Sequence, residues 1–376
     1  MSLADTPAGA TYIPLLEAEL LRWVGSGDSL LELACLDALF PPGKLLRPVL
    51  CMESAKAVGG TADQVLTFAA GIECLHVASL VHDDIIDQDP VRRGRASTAE
   101  QFGLAEALAA GDGLSMAGIA ALLSGGPAER VLHAARVTIE ALRHMCQGTM
   151  RETEIRGDLT CGVPTVLNIM QDKTTALTGA ACQARAILAG ATPQQHQPLR
   201  QYGEQLGMAF QIRDDLLPYT AEDQVTGKTA TSDIANLQPT LPVLLAHEAA
   251  DEADRNRLAT AFRGDTDPVT AHRDALAVLT RTGALTKGAY GLLLRRTGTR
   301  RNRRPAGLCT ARRTGRVSSR PPALTASNVA QNSVPVRQMI ADRQQAAVHA
   351  LASAPFPPAR TRALAAFADA LAIRTA

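Results

Sequence analysis

Asp83 and Asp87 are four residues apart in the run Asp83-Asp84-Ile85-Ile86-Asp87, and in a helix that spacing stacks two carboxylates on one face. Such a pair is a handle for a divalent cation. Mg²⁺ is a hard ion that keeps several waters and is typically held by one or two carboxylates plus substrate phosphates, so the pair implies a phosphorylated ligand. The plainer alternative is a solvated acidic patch. It is disfavoured because Gly71 to Val81, the run that leads into the acids, is almost entirely apolar. Acids that end a buried helix need partners.

A second acidic pair, Asp214-Asp215, follows the apolar run Leu206, Met208, Ala209 within Phe210-Gln211-Ile212-Arg213-Asp214-Asp215-Leu216-Leu217. Two such clusters facing each other across a bundle form a cage for metals and a diphosphate, neutralising the charge of a leaving group. Cations recur at matching places: Gly43-Lys44-Leu45-Leu46-Arg47-Pro48, Arg92-Arg93-Gly94-Arg95, Lys173-Thr174 and Gly227-Lys228. Singly, each reads as surface charge. Together with the two Asp clusters they describe a site for more than one polyanion, since metals can take one diphosphate and bare Lys and Arg donors another.

Positioning these groups falls to helices. Ala and Leu dominate, aromatics are only 3%, and alternating β-branched runs are scarce, so the predicted class is all-α. Pro and Gly punctuation, among it Pro41-Pro42-Gly43, Gly59-Gly60, Gly94, Gly125-Gly126-Pro127 and Gly162 to Pro164, cuts the first 290 residues into about ten helical segments. In Ile72 to Asp87 the apolar residues recur at helical spacing, with Ile72, Leu75, Ser79 and Asp83 marking one side of a mostly buried helix.

A chain of 376 residues with 46% hydrophobic content can bury a large core. Lys+Arg 38 against Asp+Glu 37 leaves no global electrostatic case for nucleic acid or an anionic membrane. Seven widely spaced cysteines without a CxxC pair fit free thiols in a reducing cytosol. No signal-like N-terminus is visible, and no apolar run reaches membrane-spanning length without Glu or Asp inside it. The expectation is a cytoplasmic protein with no membrane span.

The chain changes character after Tyr290. Arginines crowd between Arg295 and Arg320, and Ser333 is reached without apolar periodicity, as expected of a disordered insertion. Its lack of interleaved aromatics argues against an RNA-binding role. Helical patterning resumes at Val336 to Ala352 and at Arg360 to Arg374. The expected organisation is a helical domain over 1–290, an Arg-rich insertion over 291–335 and closing helices over 336–376.

These motifs, in this order and with Leu75-His76-Val77-Ala78-Ser79-Leu80-Val81-His82 before the first Asp cluster and Thr240-Leu241-Pro242 after Lys228, resemble the polyprenyl synthetase family. The resemblance covers about residues 13–290 and also 336–374. It implies an isoprenoid synthase type helical bundle around a central apolar cavity, a homodimer, and condensation of isopentenyl diphosphate with an allylic diphosphate. By the same resemblance Asp83, Asp87 and Asp214 bind Mg²⁺, three ions per site, with Asp84 and Asp215 completing the two acidic motifs. Arg92, Lys173 and Lys228 clamp the allylic diphosphate, while Lys44, Arg47, His76 and Arg93 hold isopentenyl diphosphate. Thr174 and Gln211 line the reacting centre, where their dipoles stabilise an allylic cation.

Two departures stand out. Pro218 occupies a place where the family often has a third Asp, and Gln238 one where it often has Lys. Because Asp214 is expected to dominate coordination, the effect of Pro218 is expected to be modest. Two rivals remain: a class I terpene cyclase, which needs no isopentenyl pocket, and a non-catalytic partner subunit of a prenyl synthase.

Product length is read from the turn before Asp83. Ala78 and Ser79 are small where family members that stop at fifteen carbons usually place an aromatic, so the tail can pass. Each isoprene unit adds about 5 Å, close to one helical turn, which makes Leu75 and Ile72 the next barriers. The expected product is geranylgeranyl diphosphate.

Overall fold

The computed structural model describes residues 7–61, 65–220, 231–285 and 336–373, and in it the Ala- and Leu-rich runs form sixteen α-helices. The first seven are α1 (Pro7–Val24), α2 (Leu30–Leu39), α3 (Leu46–Ala57), α4 (Leu66–Asp87), α5 (Thr98–Phe102), α6 (Leu104–Leu123) and α7 (Ala128–Glu154). Then come α8 (Val163–Met170), a π-turn over Gln171–Thr175, α9 (Ala176–Leu188), α10 (Pro193–Leu216), α11 (Ser232–Ala235) and α12 (Leu241–Ala249). The last are α13 (Glu252–Ala261), α14 (Pro268–Thr282), α15 (Val336–Ala352) and α16 (Pro358–Ile373). Side-chain caps set several starts: Ser29 accepts from the Glu32 amide, Asp251 from Asp254, and Thr192 forms a capping box with Gln195.

Gly94, which reads in the sequence as a helix break, belongs to a short antiparallel hairpin that pairs Val91 with Ala96 and Arg92 with Arg95. Its two central residues, Arg93 (φ 53) and Gly94 (φ 75), both adopt positive φ, as a tight two-residue hairpin turn requires. The hairpin places Arg92 and Arg93 beside the C-terminal end of α4.

α4 is the central strut. Phe68, Ile72, Leu75 and Ala78 are all buried, and α6 crosses α4 at glycines. A Cβ on Gly71 would lie 2.9 Å from the Gly118 carbonyl oxygen, where backbone leaves no room for a side chain, and one on Gly111 would lie 2.2 Å from Nε2 of His82, whose ring would have to move. Among the described residues, α6 is also the one helix long and apolar enough to cross a membrane by length and composition, with 39% of its most apolar window buried; it carries Glu106 and Asp112.

Three apolar clusters fill the interior. One joins α3, α4, α9 and α10 to α15 and α16 through residues such as Leu50, Leu75, Leu177, Leu206, Leu351 and Leu364. A second joins α8, α10, α12, α14 and the start of α15, and the third lies between α1, α2, α4 and α6. α15 and α16 therefore share a core with the helices that precede 286. Tyr202 on α10 donates to the carbonyl of Leu364 at 2.7 Å, and Arg343 donates to Gln205 at 3.0 Å. Residues 291–335, the segment singled out for its arginines, lie outside the described residues, as does Cys309; the six described cysteines are all free.

Candidate active site

A cavity of about 800 Å³ opens among α3, α4, the hairpin, α7, the π-turn, α10 and the loop before α12. Asp83, Asp84 and Asp87 border it from the end of α4, and Asp214 and Asp215 from the end of α10. Lys44, Arg47, His76, Arg92, Arg93, Lys173, Thr174 and Gln211 border it too, so the sequence motifs converge on one space. Lys228 lies outside the described residues.

The metal side is a lattice of carboxylates and cations. Arg92 donates through Nε to Asp84 at 2.7 Å. Lys173 lies 3.5 Å from Asp83 and also pairs with Glu152, while Arg156 lies 2.5 Å from Asp87. Burial alone would lower the Lys173 ammonium, but Asp83 and Glu152 outweigh it and hold the charged form. Burial raises Glu152 against the pull of Lys173. Burial also raises Asp214, against Lys44 and Arg213. Among the described residues the Asp214 Oδ1 atom is buried without a hydrogen bond, and Arg213 lies 3.5 Å from it. Asp214 borders the same cavity as Asp83 and Asp87, and carboxylate oxygens are the donors Mg²⁺ prefers. Among the described residues no three acidic, His or Cys groups are gathered tightly enough to hold an ion by themselves.

The second half of the cavity is cationic. Leu45 takes a left-handed conformation (φ 48) just before α3, a strained start held by burial of its side chain, and it lies between Lys44 and Arg47. Arg47 Nη1 is 3.0 Å from Nε2 of His76. Burial first, then Arg47 and Arg93, hold His76 well below the ordinary histidine range, so its ring is neutral. Arg93 packs where a side chain on Gly43 would sit, 2.7 Å from a Cβ there. Lys44 and Arg213 lie over the ring of Phe210 at 4.9 and 4.8 Å.

Between the halves Thr174 donates to Gln211 Oε1 at 2.7 Å, and Gln211 Nε2 donates to Asp215 Oδ1 at 2.8 Å. Asp215 Oδ2 also lies 3.4 Å from the Leu241 amide at the start of α12. Burial and then Asp233 push the Asp215 carboxyl up to about 8. Asp215 thus fixes which way the Gln211 amide points.

The residues chosen for product length separate. Ser79 borders the cavity. Ala78 does not; it packs with Val77, Val81, Ala107, Ala110 and Leu114 in the cluster between α4 and α6. In a helix Ala78 is turned away from the face that Asp83 shares with Ser79, and the glycine contacts of α6 lie on that other side. Leu75 and Ile72 are buried in the cluster shared by α3, α4 and α9 and do not border the cavity. Of the two departures, Pro218 sits in a 3₁₀ turn with its carbonyl accepting from His272 at 2.9 Å, and Gln238 borders the cavity.

Sequence reasoning missed Glu73, Glu152 and Arg156. Glu73 is a buried acid under Arg47 and Arg93, raised by burial and pulled back by both. For Glu152 a signal was present. Gly148 lies one turn before it, and a Cβ there would lie 2.8 Å from the Lys173 backbone, so that glycine lets α7 approach the π-turn.

Known proteins resemble this chain in sequence and in fold. The polyprenyl synthetase family model matches residues 29–279. A short chain isoprenyl diphosphate synthase of Methanothermobacter thermautotrophicus is 35% identical over 252 residues, covering 67% of this chain and 77% of the relative. Octaprenyl diphosphate synthase of Escherichia coli is 35% identical over 219 residues, covering 58% and 67%. Geranylgeranyl pyrophosphate synthetase of Pyrococcus horikoshii has a crystal structure that superposes with a TM-score of 0.76 at 25% identity, covering 96% of this chain and 95% of that one.

Proposed function

The chain belongs to the polyprenyl synthetase family, and from that premise we propose that it joins isopentenyl diphosphate to an allylic diphosphate in a Mg²⁺-dependent reaction whose main product is geranylgeranyl diphosphate. As an isoprenyl diphosphate synthase it needs two diphosphate sites side by side. The observation that carries the reading is that one cavity holds an acidic half, with Asp83, Asp87 and Asp214, and a cationic half, with Lys44, Arg47 and Arg93.

In this mechanism Asp83, Asp87 and Asp214 would hold Mg²⁺, which would supply the positive charge that offsets a departing diphosphate. Arg92 and Lys173 grip the allylic diphosphate, with Lys228 expected to join them. Lys44, Arg47, Arg93 and the Nδ1–H of neutral His76 hold isopentenyl diphosphate. The allylic C–O bond ionises, the isopentenyl double bond attacks the cation, and the released diphosphate takes the proton that is lost. Thr174 and Gln211 line the reacting centre, where their dipoles stabilise the allylic cation, and the apolar wall of Leu80, Met145, Ile169 and Met170 keeps water from it.

The length proposal rests on Ser79 as the small residue at the cavity wall. A homodimer is proposed from the exposed apolar faces of α6 (Leu104, Leu108, Met116, Leu123) and α7 (Leu132, Ile139, Met150). The test is incubation of the purified protein with Mg²⁺, isopentenyl diphosphate and each allylic primer, followed by sizing of the products. No elongation with any primer would reject the reading. Cyclised hydrocarbon without isopentenyl uptake would favour a class I terpene cyclase.

A further inference from the structure

We propose that Arg156 is a positioning residue that sets the orientation of the Asp87 carboxylate for metal binding; this rests on the metal reading above. Asp87 is the last residue of α4, followed by Gln88 in a left-handed conformation (φ 51), so the helix does not hold its side chain from both sides. Arg156 Nη2 grips Oδ1 of Asp87 at 2.5 Å. Asp87 borders the cavity and Arg156 does not, and the contact engages Oδ1, one of the two carboxylate oxygens.

The turn that carries Arg156 is itself fixed. Arg156 lies just past the end of α7, and the next residue, Gly157 (φ 75), donates its amide to the carbonyl of Leu237 at 2.8 Å. A Cβ on Gly157 would lie 3.1 Å from the Phe262 carbonyl oxygen. Leu237 (φ 54) opens the loop through Gln238 and Thr240 that walls the cavity on its far side. A planar guanidinium with donors at fixed angles, mounted on such an anchored turn, can hold a carboxylate plane. Partners of this kind behind a metal-ligating carboxylate typically set metal affinity, and their removal weakens it about 10–100-fold.

The test uses the full-length chain with Mn²⁺ and inorganic diphosphate as probes, following free Mn²⁺ by electron paramagnetic resonance. Arg156→Met is expected to weaken Mn²⁺ binding about 10–100-fold, with Arg156→Lys recovering part of the loss. A residue that only supports the fold would shift the melting temperature and leave the Mn²⁺ affinity of the folded variant at the wild-type value. That result overturns the proposal. Tighter binding in Arg156→Met also overturns it, because the arginine would then be a rival of the metal. If Arg156→Met does not fold, Arg156→Lys is read alone, and a wild-type affinity there is equally fatal. Asp87→Ala separates the two levels of inference. Loss of Mn²⁺ in Asp87→Ala with retention in Arg156→Met rejects only the role of Arg156, whereas a wild-type protein that binds no Mn²⁺ with diphosphate rejects the metal reading as well.

Discussion

Arg47 Nη1 lies 3.0 Å from Nε2 of His76, and because a guanidinium only donates, that ring nitrogen is the acceptor and the proton sits on Nδ1. The contact makes His76 a neutral ring inside a group of cations, with its remaining N–H available to an anion.

His76 therefore ties stability to pH. Its folded-state pKa lies well below 6.5, so the unfolded chain takes up a proton that the folded site resists. The His76 contribution is fully present above about pH 6.5 and is lost as pH falls towards the depressed folded value. Urea unfolding of wild type and His76→Gln from about pH 7.5 down to 5.5 is expected to show a steeper loss in the wild type. Parallel curves would refute a neutral buried His76.

Asp83→Ala and Asp87→Ala are each expected to abolish condensation and leave the helical circular dichroism spectrum unchanged, since both side chains border the cavity at the end of α4. Near-normal turnover in either variant would remove the metal assignment.

Because Ser79 and not Ala78 meets the cavity, Ser79→Phe is expected to shorten the product to fifteen carbons. Ala78→Phe, pressed against Ala107, Ala110 and Leu114, is expected to cost about 1–3 kcal/mol by overpacking. Product sizing and thermal melts of the two variants check the contrast. An unchanged product from an active Ser79→Phe would mean the chain grows along another wall.

Gly148→Val is expected to push α7 off the π-turn, since its Cβ would lie 2.8 Å from the Lys173 backbone. The expected outcome is a destabilisation of roughly 1–3 kcal/mol and a raised KM for the allylic substrate as Lys173 is displaced. Wild-type KM for that substrate would show that the close approach does not position Lys173.

Deletion of residues 295–333 is expected to leave the core folded, because the sequence there offers no apolar face and loop length adds little free energy. An insoluble product or a non-cooperative melt would show that the segment is needed for folding.

What the sequence revealed and what it hid divide along a physical line. Asp83 and Asp87, Lys173 and Thr174, and Gln211 with Asp214 are local patterns, each interpretable within one helical turn, and both closing helices start near where periodicity resumes. Glu152 with Lys173 and Arg156 with Asp87 are pairings across 21 and 69 residues; Gly148, one turn before Glu152, hints at a close approach there, but no local pattern names either partner. The separation of Ala78 from Ser79 depends on which side of α4 the glycines of α6 approach, a tertiary fact. The hairpin at Val91–Ala96 escaped because two-residue strands have no periodicity to detect.

The π-turn at Gln171–Thr175 has a consequence for insertions and deletions. α8 and α9 run through it as one rod, yet Val163, Val166 and Met170 before it pack into one apolar cluster, and Leu177, Ala181 and Ala184 after it into another. A wide turn absorbs one residue more than an α-helical turn, so everything downstream keeps the angular phase it would have without the extra residue. Removing a single residue from 171–175 would therefore restore regular winding with Leu177 and Ala181 still facing their cluster, whereas removing one from the regular turns of α8 would rotate α9 by about 100° relative to what precedes the deletion. The segment that presents Lys173 and Thr174 is thus a place between two cores where the rod can lose a residue without turning either core away from its partners.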